Sequence, residues 1–139
     1  MSKDLDNIFS LNNRVIIITG AAGLLGRMHA EAVAACGGIP VLLDIKLSEL
    51  NEFEAEINAK YNIESVSYVV DITDEDQVKK NAKDVVDKFG RIDGLVNNAA
   101  NNPKMEDSNE KNFSRLENFP LELWSLDIAV GLTGAFLCA

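Results

Sequence analysis

The sequence is short of the residue types that carry chemistry on their own. It has 139 residues, with one histidine, two cysteines and one tryptophan among them. His29 has no second imidazole or thiol at ligand spacing, which excludes the common zinc arrangements. Cys36 and Cys138 are too few for a disulfide framework and read as free packed thiols in a reducing cytosol. Positive charge is scarce: 13 Lys and Arg face 22 Asp and Glu, a net charge of −9. That balance argues against a nucleic-acid partner or an anionic membrane surface. Long apolar runs are lacking too. The longest nearly uncharged stretch, IAVGLTGAFLCA, has 12 residues and is too short to span a bilayer as it stands. The polar, acidic start MSKDLDNIFSLNN has no basic segment leading into an apolar one, so no signal peptide is expected. These absences leave a cytoplasmic, globular chain long enough for one domain with its own core.

Four short apolar or β-branched runs are present: RVIIIT (Arg14 to Thr19), IPVLLD (Ile39 to Asp44), ESVSYVVD (Glu64 to Asp71) and GLVNN (Gly94 to Asn98). The first, second and fourth read as strands buried on both faces, as in a parallel sheet. Helical patterns alternate with them. The first runs from about Gly23 to Cys36 and stops at Gly37-Gly38. The second opens at Ser48, a good N-cap, with Leu50, Phe53 and Ile57 on one face. The third opens at Thr73 with Asp76 in capping-box position, and aligns Val78, Ala82, Val85, Val86 and Phe89. A fourth starts near Pro120 and runs to the terminus. The order βαβαβαβα predicts an α/β fold, a doubly wound parallel sheet with strands in order 3-2-1-4. The polar stretch from Asn101 to Phe119 breaks this rhythm and is long for a simple connection.

TGAAGLLG, Thr19 to Gly26, falls at the first strand-to-helix turn. Gly20 suits the sharp turn, Gly23 leaves room for a pyrophosphate, and Gly26 lets the helix approach the sheet closely. The helix N-terminus then offers N–H groups and partial positive charge to an anion. Asp44 ends the second strand 24 residues after Gly20, near the offset of roughly 20 expected for a carboxylate that grips an adenosine ribose diol. Such a carboxylate repels the 2′-phosphate of NADP. Neither Ala21 nor Ala22 supplies a balancing cation, although Lys46 lies two residues on. NAD is therefore expected over NADP.

TGAAGLLG, the aspartate of LLD, DITD (Asp71 to Asp74), NNAA (Asn97 to Ala100) and LELWSLDIAVGLTGAFLCA follow one another in this order. Together they resemble the N-terminal half of the short-chain dehydrogenase/reductase family, over nearly the whole chain. The resemblance implies an NAD(P)-binding Rossmann-like domain over residues 1–139, belonging to an oxidoreductase that interconverts an alcohol and a ketone. It implies a cofactor-binding set of Thr19, Gly20, Ala21, Ala22, Gly23, Leu24, Leu25, Gly26, Asp44, Asp71, Ile72, Asn97, Asn98 and Ala99. Asp71 and the backbone of Ile72 would meet the adenine amino group, and Asn97 to Ala99 the adenosine-ribose side. By composition alone, Asp71 and Asn97 would equally suit strand-end caps.

The chain departs from the family pattern in three places. Ala100 stands where the family usually has glycine. Gly131 stands where the family typically has a catalytic asparagine, and would still permit the helix kink found there. The family's catalytic serine and Tyr-x-x-x-Lys pair fall beyond Ala139. Tyr61 is followed four residues on by Ser65 and Tyr68 by Ile72, so neither tyrosine fits the pair. No catalytic residue is assigned within the chain. A cofactor-binding part of a larger enzyme, a dinucleotide-binding or regulatory module without turnover, and a plain scaffold all remain open. The polar stretch after Ala100 points to a hydroxylated, sugar-derived substrate. An exposed fourth strand and an apolar last helix point to a homo-oligomer.

Overall fold

The structure is a computed structural model and describes residues 8–101 and 116–139. It has four strands, β1 (Val15–Thr19), β2 (Ile39–Asp44), β3 (Val66–Val69) and β4 (Gly94–Val96). Its helices are α1 (Leu24–Ala35), α2 (Leu47–Tyr61), α3 (Glu75–Phe89), α4 (Leu121–Ile128) and α5 (Ala135–Cys138), with a π-helical stretch Ala129–Gly134 joining the last two. The strands form one sheet in the order β3-β2-β1-β4, and every pairing is parallel. Ile17 sits beside Val41 on one side and Leu95 on the other. The α/β architecture and the strand order agree with the sequence reading. Most of the polar stretch 101–119 lies outside the described residues.

β1 is buried along its whole length because it lies between two strands and between two helix layers. β4 is only half-buried, not buried on both faces as the sequence suggests, because it is an edge strand with three residues on the ladder. One face of the sheet packs Ile16, Ile18 and Leu42 against Ala30 and Val33 of α1 and Leu50, Phe53 and Ile57 of α2. The other face packs Val15, Ile17, Val41 and Leu43 against Val85, Val78 and Phe89 of α3, with Val130 and Cys138 beside them.

Two helix starts differ from the sequence reading. α2 begins at Leu47, after Lys46, and no side chain caps it. Asp44 Oδ1 accepts hydrogen bonds from the N–H groups of Ile45 (2.8 Å) and Lys46 (3.2 Å), which turns the chain into the helix before Ser48 is reached. Ser48 donates to Glu49 instead (2.6 Å). At α3 the cap is Asp74, whose carboxylate accepts from Asp76 N (3.0 Å), Gln77 N (3.1 Å) and Gln77 Nε2 (2.9 Å). The capping pair is thus Asp74 with Gln77, one residue beyond Thr73 and Asp76, and it is not a reciprocal capping box, because Gln77 Oε1 accepts from Asp71 N and the Asp74 N–H donates to Asp71 O. Thr73 loses the role because its hydroxyl donates to Asp71 Oδ1 (2.7 Å). Along α3, Val86 is exposed and Asn81 takes a place on the buried stripe.

Pro120 caps α4 in extended geometry, as a proline at a helix start should. The continuous helix Leu121–Cys138 has 18 residues and, by length and composition alone, could cross a membrane. The count over the last 12 residues misses this, because α4 extends the apolar run backwards with only Glu122 and Asp127 charged. The helix lies on the sheet through Val130 and Cys138. Gly134 comes so close to Ile72 that a Cβ there would stand 2.8 Å from its side chain. Gly131 falls inside the π-helical stretch, a local departure from α-helical hydrogen bonding.

Candidate functional site

The glycine loop is shaped by two positions that no side chain could occupy. Gly20 has φ +65°, and a Cβ on it would stand 2.9 Å from Ala99 Cα. A Cβ on Gly26 would stand 2.1 Å from the carbonyl oxygen of Gly20 and 2.7 Å from Ala21 Cα. Gly26 therefore lets α1 close onto the loop's own backbone at the end of β1, rather than onto the sheet at large. Gly23 is the N-cap of α1 and has no side chain to bond the helix end.

An account of the loop's N–H groups shows what is left over. Ala21 N donates to Leu43 O (2.9 Å), Ala22 N to Asp44 Oδ2 (3.0 Å) and Gly23 N to Gly20 O (3.1 Å). Arg27 N donates back to Gly23 O (3.0 Å). The N–H groups of Leu24, Leu25 and Gly26 have no acceptor among the described residues, as the first turn of an uncapped helix requires. No acidic residue stands in that turn, whereas α2 has Glu49 there and α3 has Glu75 and Asp76. α1 is thus the one helix of the βαβαβα frame whose positive end has no acidic residue in its own first turn.

That end opens into a groove of about 670 Å³ along the C-terminal edge of the sheet. Gly20, Gly23, Leu24, Leu25, Gly26, Asp44, Asp71, Ile72, Asn98 and Ala99 line it, with Lys46, Asn101, Leu126 and Val130. The sequence thus names most of its wall. Thr19, Ala21, Ala22 and Asn97, also named from the sequence, are not among the residues that line it. Thr19 is fully buried. Its hydroxyl accepts from Asn98 N and Ala99 N (both 3.0 Å) and donates to Val96 O (3.4 Å). Asn98 Nδ2 returns to Thr19 O (2.9 Å) and Gly20 O (3.2 Å), so the end of β4 is sewn to the glycine loop. Asn97 turns the other way and donates to Ala135 O in α5 (3.2 Å).

The two carboxylates of the groove are already partly engaged. Asp44 holds Ala22 N on one oxygen and Ile45 N and Lys46 N on the other. Each carboxylate oxygen has two lone pairs, so Oδ2 keeps one for a ligand donor. Asp71 Oδ1 accepts from Thr73 N (2.9 Å) and Thr73 Oγ1 (2.7 Å), and its N–H is taken by Gln77 Oε1 (3.0 Å). Both acids therefore face the groove in orientations fixed by backbone donors.

Arg27 is a supporting residue that the sequence pattern does not reveal. Its Nε donates to Ala22 O (3.3 Å), its Nη1 meets Glu56 (3.3 Å), and its guanidinium lies 4.7 Å from the centre of the Phe53 ring. Ala22 is thus held at its N–H by Asp44 and at its carbonyl by Arg27. Glu56, which holds the other end of the guanidinium, is 29 residues from Arg27 in sequence, and no local spacing announces that pair. Gly131 lines a separate cavity of about 380 Å³ with Trp124, Asp127, Ile128 and Leu132. A Cβ on Gly131 would have no heavy atom of another described residue outside its own helix backbone within 4 Å.

The sequence profile of the short chain dehydrogenase family matches residues 14–139. The chain is 29% identical over 137 residues to an NAD-dependent glycerol dehydrogenase of Listeria innocua, covering 99% of this chain and 49% of that protein. It is 27% identical over 142 residues to an NADP-dependent mannitol dehydrogenase of Alternaria alternata, covering 99% of this chain and 50% of that one. Among solved structures, NAD+-bound xylitol dehydrogenase superposes with a TM-score of 0.78 at 29% identity, covering 92% of this chain and 46% of that one. The chain spans about half the length of the relatives it matches. With the parallel 3-2-1-4 sheet and the glycine loop at its β1–α1 turn, the chain belongs to the short-chain dehydrogenase family.

Proposed function

We propose that residues 1–139 form the NAD-binding domain of an oxidoreductase that interconverts an alcohol and a ketone. The observation that carries this reading is the start of α1. Three unpartnered N–H groups and no first-turn acid face a groove that Asp44 also lines. The pyrophosphate of a dinucleotide would lie over Leu24, Leu25 and Gly26, where a loop without side chains admits it. The adenosine ribose diol would donate to the remaining lone pair of Asp44 Oδ2. Asp71 and the backbone of Ile72 would meet the adenine, and Asn98 with Ala99 would form the facing wall. The bound nicotinamide would supply the hydride chemistry.

NAD is favoured over NADP because a 2′-phosphate would face Asp44, while the nearby Arg27 is committed to Ala22, Glu56 and Phe53. Titration by NADH and NADPH fluorescence at fixed salt tests this. Tighter binding of NADH is expected. Asp44→Asn should narrow the gap, because it removes the charge while leaving an oxygen to accept from Ala22 N. Equal affinities in the parent chain would remove the basis for the Asp44 assignment.

The substrate is proposed to be a small polyol or its ketone, possessing the chemistry named for the glycerol, mannitol and xylitol dehydrogenases. The free thiols Cys36 and Cys138 suit a cytoplasmic setting. Neither tyrosine is followed by a lysine four residues on, so these 139 residues alone are proposed to bind the dinucleotide without turnover. They are also proposed to self-associate, through the β4 edge and the apolar outer face of Leu121–Cys138. Light scattering should give a mass above the monomer for the parent chain and a lower one for Leu132→Glu. A monomeric parent would refute the association.

A further inference from the structure

Beyond the β4 end of the sheet, the groove wall is attached to the terminal helix at two points. Asn97 Nδ2 donates to Ala135 O (3.2 Å), and Asn101 Nδ2 donates to Asp127 Oδ1 (2.9 Å). The two asparagines are four residues apart on the segment that leaves β4, and their acceptors bracket the π-helical stretch Ala129–Gly134. Between the two anchors, Asn98 and Ala99 are bonded to Thr19. The segment 97–101 therefore transmits the position of the helix to the groove, where Asn101 and the helix residues Leu126 and Val130 form the wall together.

We infer that Asp127 is a positioning residue for the nicotinamide end of the dinucleotide, the part beyond the pyrophosphate and its second ribose. The inference rests on the dinucleotide reading of the groove. The direction follows from the sheet. Asp44 and Asp71 mark the β2–β3 end, the glycine loop lies at β1, and Asn101, Leu126 and Val130 mark the β4 end. A ligand with its ribose diol at Asp44 and its pyrophosphate at α1 must send its other half towards Asn101. The Asn101–Asp127 bond is part-buried and joins segments 26 residues apart, so it fixes the width of the groove at that end and nowhere else. At the other end, Asp44 and the loop are held by their own bonds to Ala22, Ile45 and Lys46.

The test compares two ligands on the parent chain and on two variants. NADH occupies both halves of the groove, whereas ADP-ribose lacks the nicotinamide. Asp127→Leu should weaken NADH roughly threefold to tenfold, the scale of one net hydrogen bond, and leave ADP-ribose unchanged. Asp127→Asn should bind NADH like the parent, because its amide oxygen still accepts from Asn101. Equal weakening of both ligands by Asp127→Leu would overturn the inference, since it would indicate a general loss of structure. Parent-like NADH binding in Asp127→Leu, or a loss in Asp127→Asn as large as in Asp127→Leu, would overturn it too. Should Asp127→Leu fail to fold, the swapped pair Asn101→Asp with Asp127→Asn decides, because it restores the bond with donor and acceptor exchanged. NADH affinity at the level of Asn101→Asp alone would then refute the inference. A parent chain that binds neither ligand would refute the dinucleotide reading itself and this inference with it.

Discussion

On the α1–α2 side of the sheet, Leu50, Phe53 and Ile57 are 0%, 2% and 1% exposed. On the opposite side the terminal helix leaves Trp124, Leu132 and Phe136 at 53%, 63% and 76%. The two sides are built from residues of similar hydrophobicity, so composition does not account for the difference. What differs is how many neighbours each helix has. α2 lies against β2, β3 and α1, whereas Leu121–Cys138 touches the sheet by one stripe, at Val130, Gly134 and Cys138. The glycine loop, with its bonds to Leu43, Asp44 and Arg27, belongs to the closed side. The β4 segment and the helix it holds belong to the open side. The groove runs from one to the other.

The largest contrast should come from one alanine placed on each side. In Gly26→Ala the new methyl would meet the backbone of Gly20 and Ala21, which cannot swing aside as a side chain can. The expected cost is roughly 3 kcal/mol or more, read as a lower urea midpoint. In Gly131→Ala the methyl meets no described residue beyond its own helix within 4 Å. A change within about 0.5 kcal/mol is expected there. Comparable losses in both would mean that the outer face of the helix is covered in solution.

The second effect is one of pH. Asp93 joins the two sides at the base of the sheet. Its carboxylate accepts from Arg91 Nε (2.7 Å), Val15 N (2.8 Å) and Arg14 Nη1 (2.9 Å). The Arg91 guanidinium, the Val15 N–H and Arg14 together hold it far below the ordinary carboxylate range, against an opposing effect of burial. A carboxyl depressed in the folded state contributes stability that is present above its unfolded pKa of about 3.9. That contribution is lost as the pH falls through the lower, folded value. Because β4 is tied to β1 by only three ladder residues, acid should loosen β4 and the terminal helix before the β1–β2–β3 core. Fluorescence of Trp124, the only tryptophan, should therefore change at a higher pH than the far-UV circular dichroism. In Asp93→Asn the two transitions should move together. Coincident transitions in the parent would break the division into a closed and an open side.

The same division marks where the sequence was legible. The alternation of apolar runs and helical patterns places all four strands, because each buried run is bounded by its own glycine or polar stop. The glycine loop and Asp44 are legible because the conformations they need are local. Legibility fails where two side chains compete for one role. Thr73 and Asp74 both suit a cap, and the choice turns on Asp71 drawing the Thr73 hydroxyl away. It fails again where partners are distant, as for Arg27 with Glu56 or Asn97 turned towards α5. On α3 the pattern puts Val86 on the inner stripe, where the structure puts Asn81. The direction of the helix axis, which no periodicity fixes to one residue, selects Asn81.

The smallest expected effect follows from that selection. Asn81 is 4% exposed, yet its Nδ2 has no hydrogen-bond partner among the described residues. It lies on the α3 stripe with Val78 and Val85, on the face of the sheet that the terminal helix covers only in part. A buried amide donor without an acceptor has given up water and gained nothing, a cost of about 1–3 kcal/mol. Leucine has a similar volume, no donor, and a better intrinsic helix preference. Asn81→Leu should therefore stabilise the chain by about 1 kcal/mol, seen as a higher urea midpoint at an unchanged slope. The gain would locate the slack of the molecule on its open side. A loss of stability would mean that the Asn81 amide finds an acceptor in solution, and that this side is closed more fully than the stripe of Val130, Gly134 and Cys138 implies.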